Sequence, residues 1–223
     1  YYAKITKLVI GANVYSTANY AFEGCSTLKE IDFGSNTFFP GSGAFKGCGF
    51  ETLTIPANVQ LSSSYSEQFS SCRSLTSLTV EGTQISKSCF AGCSSLTEIS
   101  MPEVTTIGKQ AFQGCSSLIE VAMPKKLKAL GASAFNSCTS LRIVRSEADP
   151  KANSMYSLTG SDYAQPHNDK LHIYVPDDLY ATYVNYKWDT WGNLHRMSEY
   201  PAVIGDLAYV LDRDNHTATA TAD

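Results

Sequence analysis

The sequence predicts a β-rich solenoid: a right-handed coil with one short parallel strand per repeat and a helix capping its C-terminal end. Three observations carry that expectation. A composite motif, Phe followed three residues later by Cys and then by a ladder of apolar positions, occurs six times. Its cysteines, Cys25, Cys48, Cys72, Cys93, Cys115 and Cys138, recur every 21 to 24 residues. Each copy runs into alternating apolar and polar positions, the period-2 mark of a strand with one buried face.

The six copies are YAFEGCSTLKEIDFG from Tyr20, GAFKGCGFETLTIP from Gly43, EQFSSCRSLTSLTVE from Glu67, SCFAGCSSLTEISMP from Ser88, QAFQGCSSLIEVAMP from Gln110 and SAFNSCTSLRIVRSE from Ser133. A fixed period of this length places the chain among leucine-rich-repeat solenoids, whose repeats run about 20–29 residues. In each copy the strand follows the Cys. Ile99 and Met101 alternate with polar neighbours before Pro102, as Val121 and Met123 do before Pro124, and Leu53 and Ile55 before Pro56. Proline ends such a strand because it has no N–H to donate to the next ladder bond. The return half of the coil carries Val104, Ile107, Ala111 and Phe112, then Leu127, Leu130, Ala134 and Phe135. Gly108 and Gly131 follow the aliphatic residue, where a turn with permissive φ is expected. No coil buries both faces alone, so stacking at the strand spacing of about 4.8 Å turns each position into a column through the core.

The early coils are less regular. Thr17, Pro40 and Ser64 stand where Ile85, Ile107 and Leu130 stand later, and Val59–Ser66 reads as a small insertion. Ile5–Ile10 fits a seventh, truncated strand. Residues 1–147 are therefore expected to form the leucine-rich-repeat solenoid of six to seven coils. Residues 148–200 should hold a loop, a last strand and the capping helix. Residues 201–223 read as a hairpin-like tail, the start of a following repeat block.

The cap is expected from Pro176-Asp177-Asp178, a helix start with carboxylates at the positive end of the dipole, followed by Leu179, Tyr183 and Tyr186 on one stripe. Trp188 and Trp191 would then cover the last coil. The same aromatics also suit sugar stacking, the alternative to a cap.

With 17% charged and 11% aromatic residues, the 223-residue chain reads as folded. Its net charge of −4 gives no general pull towards nucleic acid. No apolar run reaches the roughly 20 residues of a transmembrane helix, and no leader-like stretch follows Tyr1. The six periodic cysteines lack the paired spacing of zinc sites. Their parallel side chains would hold Cβ atoms about a strand spacing apart, beyond disulfide reach. Buried free thiols are the expectation. His167, His172, His195 and His216 show no ligand spacing, and no nucleophile, metal or phosphate-loop motif is present. No cofactor, no metal and no catalytic residues are expected, so the chain is not read as an enzyme. Lys125-Lys126-Leu127-Lys128 is read as a solvated turn.

The segments AFxGCSSLxxIxxP separated by VxxIGxxAF resemble the BspA-like leucine-rich-repeat family. The likeness covers about Ile5 to Glu147 and continues in Ile173-Tyr174-Val175-Pro176-Asp177-Asp178. Cys89 before Phe90, and Ser71 and Ser137 before Cys, depart from the pattern. The resemblance implies a bacterial protein at the cell surface or secreted, with a binding or adhesion role and no catalytic residues.

The informative surface is the outward strand face, polar, hydroxyl-rich and mildly acidic. Its candidate binding residues are Glu30, Asp32, Thr54, Thr79, Glu98, Ser100, Glu120, Arg145 and Tyr174. The expected partner is a host protein, matrix component or glycan, met by a monomeric module of a larger protein. The alternative is a structural stalk that spaces other domains from the cell.

Overall fold

The computed structural model describes residues 4–151, 170–186, 188 and 192–200. The hairpin expected in 201–223, the polar loop over 152–169 and Trp191 lie outside them.

The chain is a parallel β-solenoid of about seven turns with very little helix. One face is built from β1 (Lys7–Val9), β2 (Glu30–Asp32), β3 (Thr52–Ile55), β4 (Ser77–Val80), β6 (Glu98–Ser100), β8 (Glu120–Met123), β10 (Ile143–Ser146), β11 (His172–Val175) and β12 (Asn193–Arg196). On the return side, β5 (Gln84–Ile85), β7 (Thr106–Ile107) and β9 (Ala129–Leu130) form a second parallel sheet. Among the described residues every ladder is parallel, and paired strands lie one coil apart, for example Leu53 with Leu78 and Leu78 with Ile99. On the main face the ladder is continuous within three groups, β1–β2, β3–β4–β6 and β8–β10–β11–β12. No ladder joins β2 to β3 or β6 to β8.

The columns are present as stacked layers. Phe22, Phe45, Phe69, Phe90, Phe112 and Phe135 form a spine of near-parallel rings with successive centroids 5.2–5.7 Å apart. The turns carrying them are also bonded along the stack: the Phe90 amide donates to Ala111 O and the Phe112 amide to Ala134 O, each at 2.8 Å. In the irregular early coils, Phe38, Pro40, Val59 and Leu61 supply the return-side core, while Ser64 is exposed. The Val59–Ser66 insertion thus contributes its apolar residues to the interior.

The cysteine column has a chemical reason beyond size. All seven cysteines are buried free thiols. The thiols of Cys48, Cys72, Cys93, Cys115 and Cys138 donate to the carbonyls of Phe22, Phe45, Phe69, Phe90 and Phe112, one coil back, at 3.2–3.4 Å. Cys is small, apolar and a weak donor, so it fills the column and also satisfies a buried carbonyl. Burial raises the Cys48 thiol well above its usual value and takes Cys89 up to about 12. Protonated, enclosed thiols are poor nucleophiles. A thiol-reactive dye should therefore label few cysteines in the native protein and all seven after denaturation without reductant. Thiols still unlabelled after denaturation would reveal disulfides.

Two backbone positions in each coil are left-handed. Before each column Cys, Gly24, Gly47, Ser71, Gly92, Gly114 and Ser137 have φ of 58–75°. Before the Ala-Phe pair, Tyr20, Gly43, Glu67, Ser88, Gln110 and Ser133 have φ of 53–60°. Ser71 and Ser137 thus keep the fold of the turn and pay only steric strain. Replacing either by Gly should stabilise the protein by about 0.5–1 kcal/mol, the αL penalty less the entropy of glycine. Chemical denaturation would check this, and an unchanged midpoint would remove the strain account. Gly108 and Gly131 do not have positive φ, contrary to the turn expectation. A Cβ at Gly108 would lie 2.6 Å from Lys87 N, and one at Gly131 2.2 Å from Lys109 N. These glycines let one coil lie directly on the next.

The C-terminal end is closed by a single-turn helix, α1 (Tyr180–Asn185), shorter than expected. Tyr183 is fully buried; its hydroxyl lies 2.8 Å from Ser146 Oγ and donates to Ala148 O. Trp188 packs edge-on against it at 4.8 Å and is also fully buried. Tyr186, expected on the same stripe, is exposed. Strand β12, a second strand in a region where one was expected, extends the main face beyond β11 through His172–Asn193 and Tyr174–His195 pairs.

Candidate binding surface

Side chains alternate across each strand, so register decides what reaches solvent. Leu53, Leu78, Val121, Val144 and Ile173 point inward and are buried. Two outward columns result. Residues at the level of Glu30 continue through Thr52, Ser77, Glu98, Glu120, Ile143 and His172, and those at the level of Asp32 through Thr54, Thr79, Ser100, Ala122, Arg145 and Tyr174.

Nine candidate residues fall on this face, but not in one accessible patch. Glu30, Asp32, Thr54, Glu98 and Ser100 are exposed, and Thr79, Glu120 and Arg145 are half-buried. Glu30 pairs with Lys7 at 3.3 Å. Asp32 accepts from the Gly34 amide at 2.9 Å, which stabilises the turn after β2. Glu120 and Arg145 form an ion pair at 2.5 Å, so Glu120 adds less acidity than the sequence suggested.

Tyr174 is the correction. Its register is outward, yet it is 0% exposed. After β12 the chain turns through a 3₁₀ segment, Met197–Glu199, and lays Met197 and Tyr200 over Ile143 and Tyr174. Tyr200 meets Tyr174 edge-on at 4.9 Å, His195 stacks on Tyr174 at 5.0 Å, and the Arg145 guanidinium sits 5.3 Å from the Tyr200 ring. The Asp177 carboxylate, expected at a helix start, instead accepts from the Ser198 amide at 3.1 Å and the Ser198 hydroxyl at 2.7 Å. Those bonds hold its carboxyl below its ordinary range. The strap therefore closes the face over β10 and β11, its Tyr200 hydroxyl donating to Glu120 on β8 at 3.4 Å, and leaves the face open from β1 to β6.

Beneath the strap, His172 Nδ1 and His195 Nε2 lie 2.9 Å apart in stacked rings. His195 Nδ1 is 3.6 Å from Glu199 Oε2. Burial, and then the neighbouring His195, hold the His172 pKa below its ordinary 6.5. A lowered pKa means the unfolded chain takes up the proton first. This part of the stability is present above pH 6.5 and lost as pH falls through the folded-state value. Thermal melts from pH 7.5 to 5 should show that loss, reduced in His172→Gln; equal pH profiles for both proteins would refute it. The sequence offered no signal for this pair beyond two histidines 23 residues apart, one repeat period.

Among the described residues no group of three or more His, Cys, Asp or Glu could hold a metal ion. Also among them, no helix is long and apolar enough to cross a membrane.

The profile of the BspA type leucine rich repeat region matches residues 1–84 and 83–161, in six copies. The chain belongs to that family. Solved structures similar to this BspA-type chain are bacterial leucine-rich-repeat proteins. One from Bacteroides ovatus is 21% identical with a TM-score of 0.57, covering 86% of this chain and 54% of its own. This BspA-type chain thus spans about half the length of that protein. A leucine rich cell surface protein from Faecalibacterium prausnitzii is 17% identical with a TM-score of 0.48, covering 80% of this chain and 65% of its own. The pneumococcal vaccine antigen PcpA is 16% identical with a TM-score of 0.44, covering 86% of this chain and 67% of its own. No curated protein sequence matches this one.

Proposed function

We propose that the chain is an extracellular binding module at a bacterial surface, recognising a host protein, matrix component or glycan through the open part of its strand face. The observation that carries this reading is the contrast along that face. Polar side chains from four coils, Glu30 to Ser100, line this end of the face, exposed on β2, β3 and β6 and half-buried on β4, while the far end is covered by the chain's own strap. Repeat solenoids present extended surfaces of this kind to partners. The BspA-type family, whose members are bacterial surface proteins, supports the location. The role is recognition, with no catalytic group assigned.

A panel of immobilised matrix proteins and host glycans, probed with the purified chain, tests this reading. Saturable binding to one class, reduced by Glu98→Lys with Ser100→Lys, is the expected result. Binding to none of the panel would favour a stalk that spaces other domains from the cell.

A further inference from the structure

The interruption between β2 and β3 is a built gap with unpaired backbone on both walls. On the turn side the two coils are closed: the Phe22 amide donates to Ala44 O at 2.8 Å and the Gly24 amide to Lys46 O at 2.7 Å. On the strand side no backbone ladder joins β2 to β3; the Lys29–Glu51 ion pair spans the two coils at the start of the strands. Two bulky rings mark this break, which is wider than the one between β6 and β8, where Met101 and Leu118 hold the same positions. Phe33 occupies the column that holds Ile10, Ile55 and Val80 in other coils, and Phe50 the column of Leu28, Leu75 and Leu96. Both lie against the spine: Phe33 is 6.5 Å from Phe45 and from Phe69, and Phe50 is 6.3 Å from each. Aromatic rings where neighbouring coils have aliphatic side chains wedge the strands apart.

The opening is a groove of about 310 Å³ lined by Glu30–Asp32 and Thr52–Thr54, together with Lys7, paired to Glu30, and Lys29, paired to Glu51. Ile31, an inward position, is consequently only half-buried, whereas Leu53 and Leu78 are buried. In a parallel ladder alternate residues direct both backbone groups to the same neighbour. The Glu30 amide donates to Thr6 O and Asp32 O accepts from Ile10 N, so those residues face β1. Glu51 O accepts from Thr76 N and Ile55 O from Glu81 N, so odd positions of β3 face β4. Ile31, Thr52 and Thr54 therefore turn their N–H and C=O groups into the gap, and none has a backbone partner among the described residues.

We propose that this gap is a binding site for an extended peptide segment, which enters as an added parallel strand between β2 and β3. Backbone donors and acceptors on two parallel walls fit a peptide and little else, and strand addition gives affinity through the main chain and specificity through alternate side chains. β2 is three residues long, so the site reads about that many. An inward aliphatic residue would cover Ile31 and Leu53, and its neighbours would face Lys7, Lys29, Glu30 and Asp32. The assignment rests on the reading of the strand face only for the direction of approach.

Amide hydrogen exchange with a synthetic peptide copying residues 74–82, an aliphatic–polar strand of this chain, tests it without any partner from the binding panel. In the free protein the amides of Ile31, Thr52 and Thr54 should exchange about tenfold or more faster than that of Leu53, which bonds within the β3–β4 ladder. Millimolar peptide should slow those three, and Phe33→Ile, by removing the wedge, should slow them without peptide and abolish its effect. Protection equal to that of Leu53 in the free protein would show the gap closed. Fast exchange left unchanged by the peptide would overturn the peptide assignment, even if the open face bound a glycan elsewhere.

Discussion

Phe90→Ala should cost about 3–5 kcal/mol, the usual penalty for removing a fully buried aromatic ring from a close-packed core. Phe90 stands in the middle of the spine, 5.7 Å from Phe69 and 5.6 Å from Phe112. Its removal takes two ring contacts as well as the buried area. It also breaks the stack where neither half can compensate, because in a solenoid each coil is stabilised only by its neighbours. Denaturant unfolding should lose its single sharp transition and resolve into two, one for the coils on each side. A single transition shifted by less than about 1 kcal/mol would mean that the ring column is not what holds the coils together.

Trp188→Ala should have a comparable energetic cost, about 3–5 kcal/mol locally, but a different reach. Trp188 and Tyr183 cover the end of the core next to Ser146 and Ala148. Without the indole, α1, β12 and β11 should fray and expose the outer edge of β10, a template for pairing with another chain. Hydrogen exchange should show protection lost in β10 to β12 and kept in β3, β4 and β6, with concentration-dependent association. Uniform loss across all strands, or none, would show that the segment is not a cap and would revive a sugar-stacking role for the tryptophan.

Most of the solenoid was legible in the sequence because a stacked coil imposes the same demand at the same position in every repeat. The Phe and Cys columns are the clearest case, since spacing alone aligned them. Three kinds of feature were not legible. The wedge was hidden because Phe33 and Phe50 satisfy the apolar pattern that aliphatic residues satisfy, and a pattern of hydrophobicity carries no volume. Strand β12 was hidden because Asn193-Leu194-His195-Arg196 has a single aliphatic residue and no Cys or Phe to mark its coil. The strap was hidden because it depends on long-range partners. Asp177 meets Ser198, and Tyr200 meets Tyr174, through contacts that no local rule anticipates. That is also why the candidate surface was right in register at Tyr174 and wrong about its exposure.

The most direct test of the account is the equilibrium affinity of a partner captured from the panel, measured against salt for two charge-altered proteins. One carries Glu98→Lys and Ser100→Lys on the open face, the other Lys125→Glu and Lys128→Glu on the exposed turn between coils. Altered charge at the contact changes affinity and salt dependence, whereas charge lying beyond a Debye length of about 8 Å is screened. The account predicts that the face variant loses binding by about tenfold or more, with its melting temperature nearly unchanged, while the turn variant binds like the parent. Loss of binding in the turn variant with the face variant intact would contradict it.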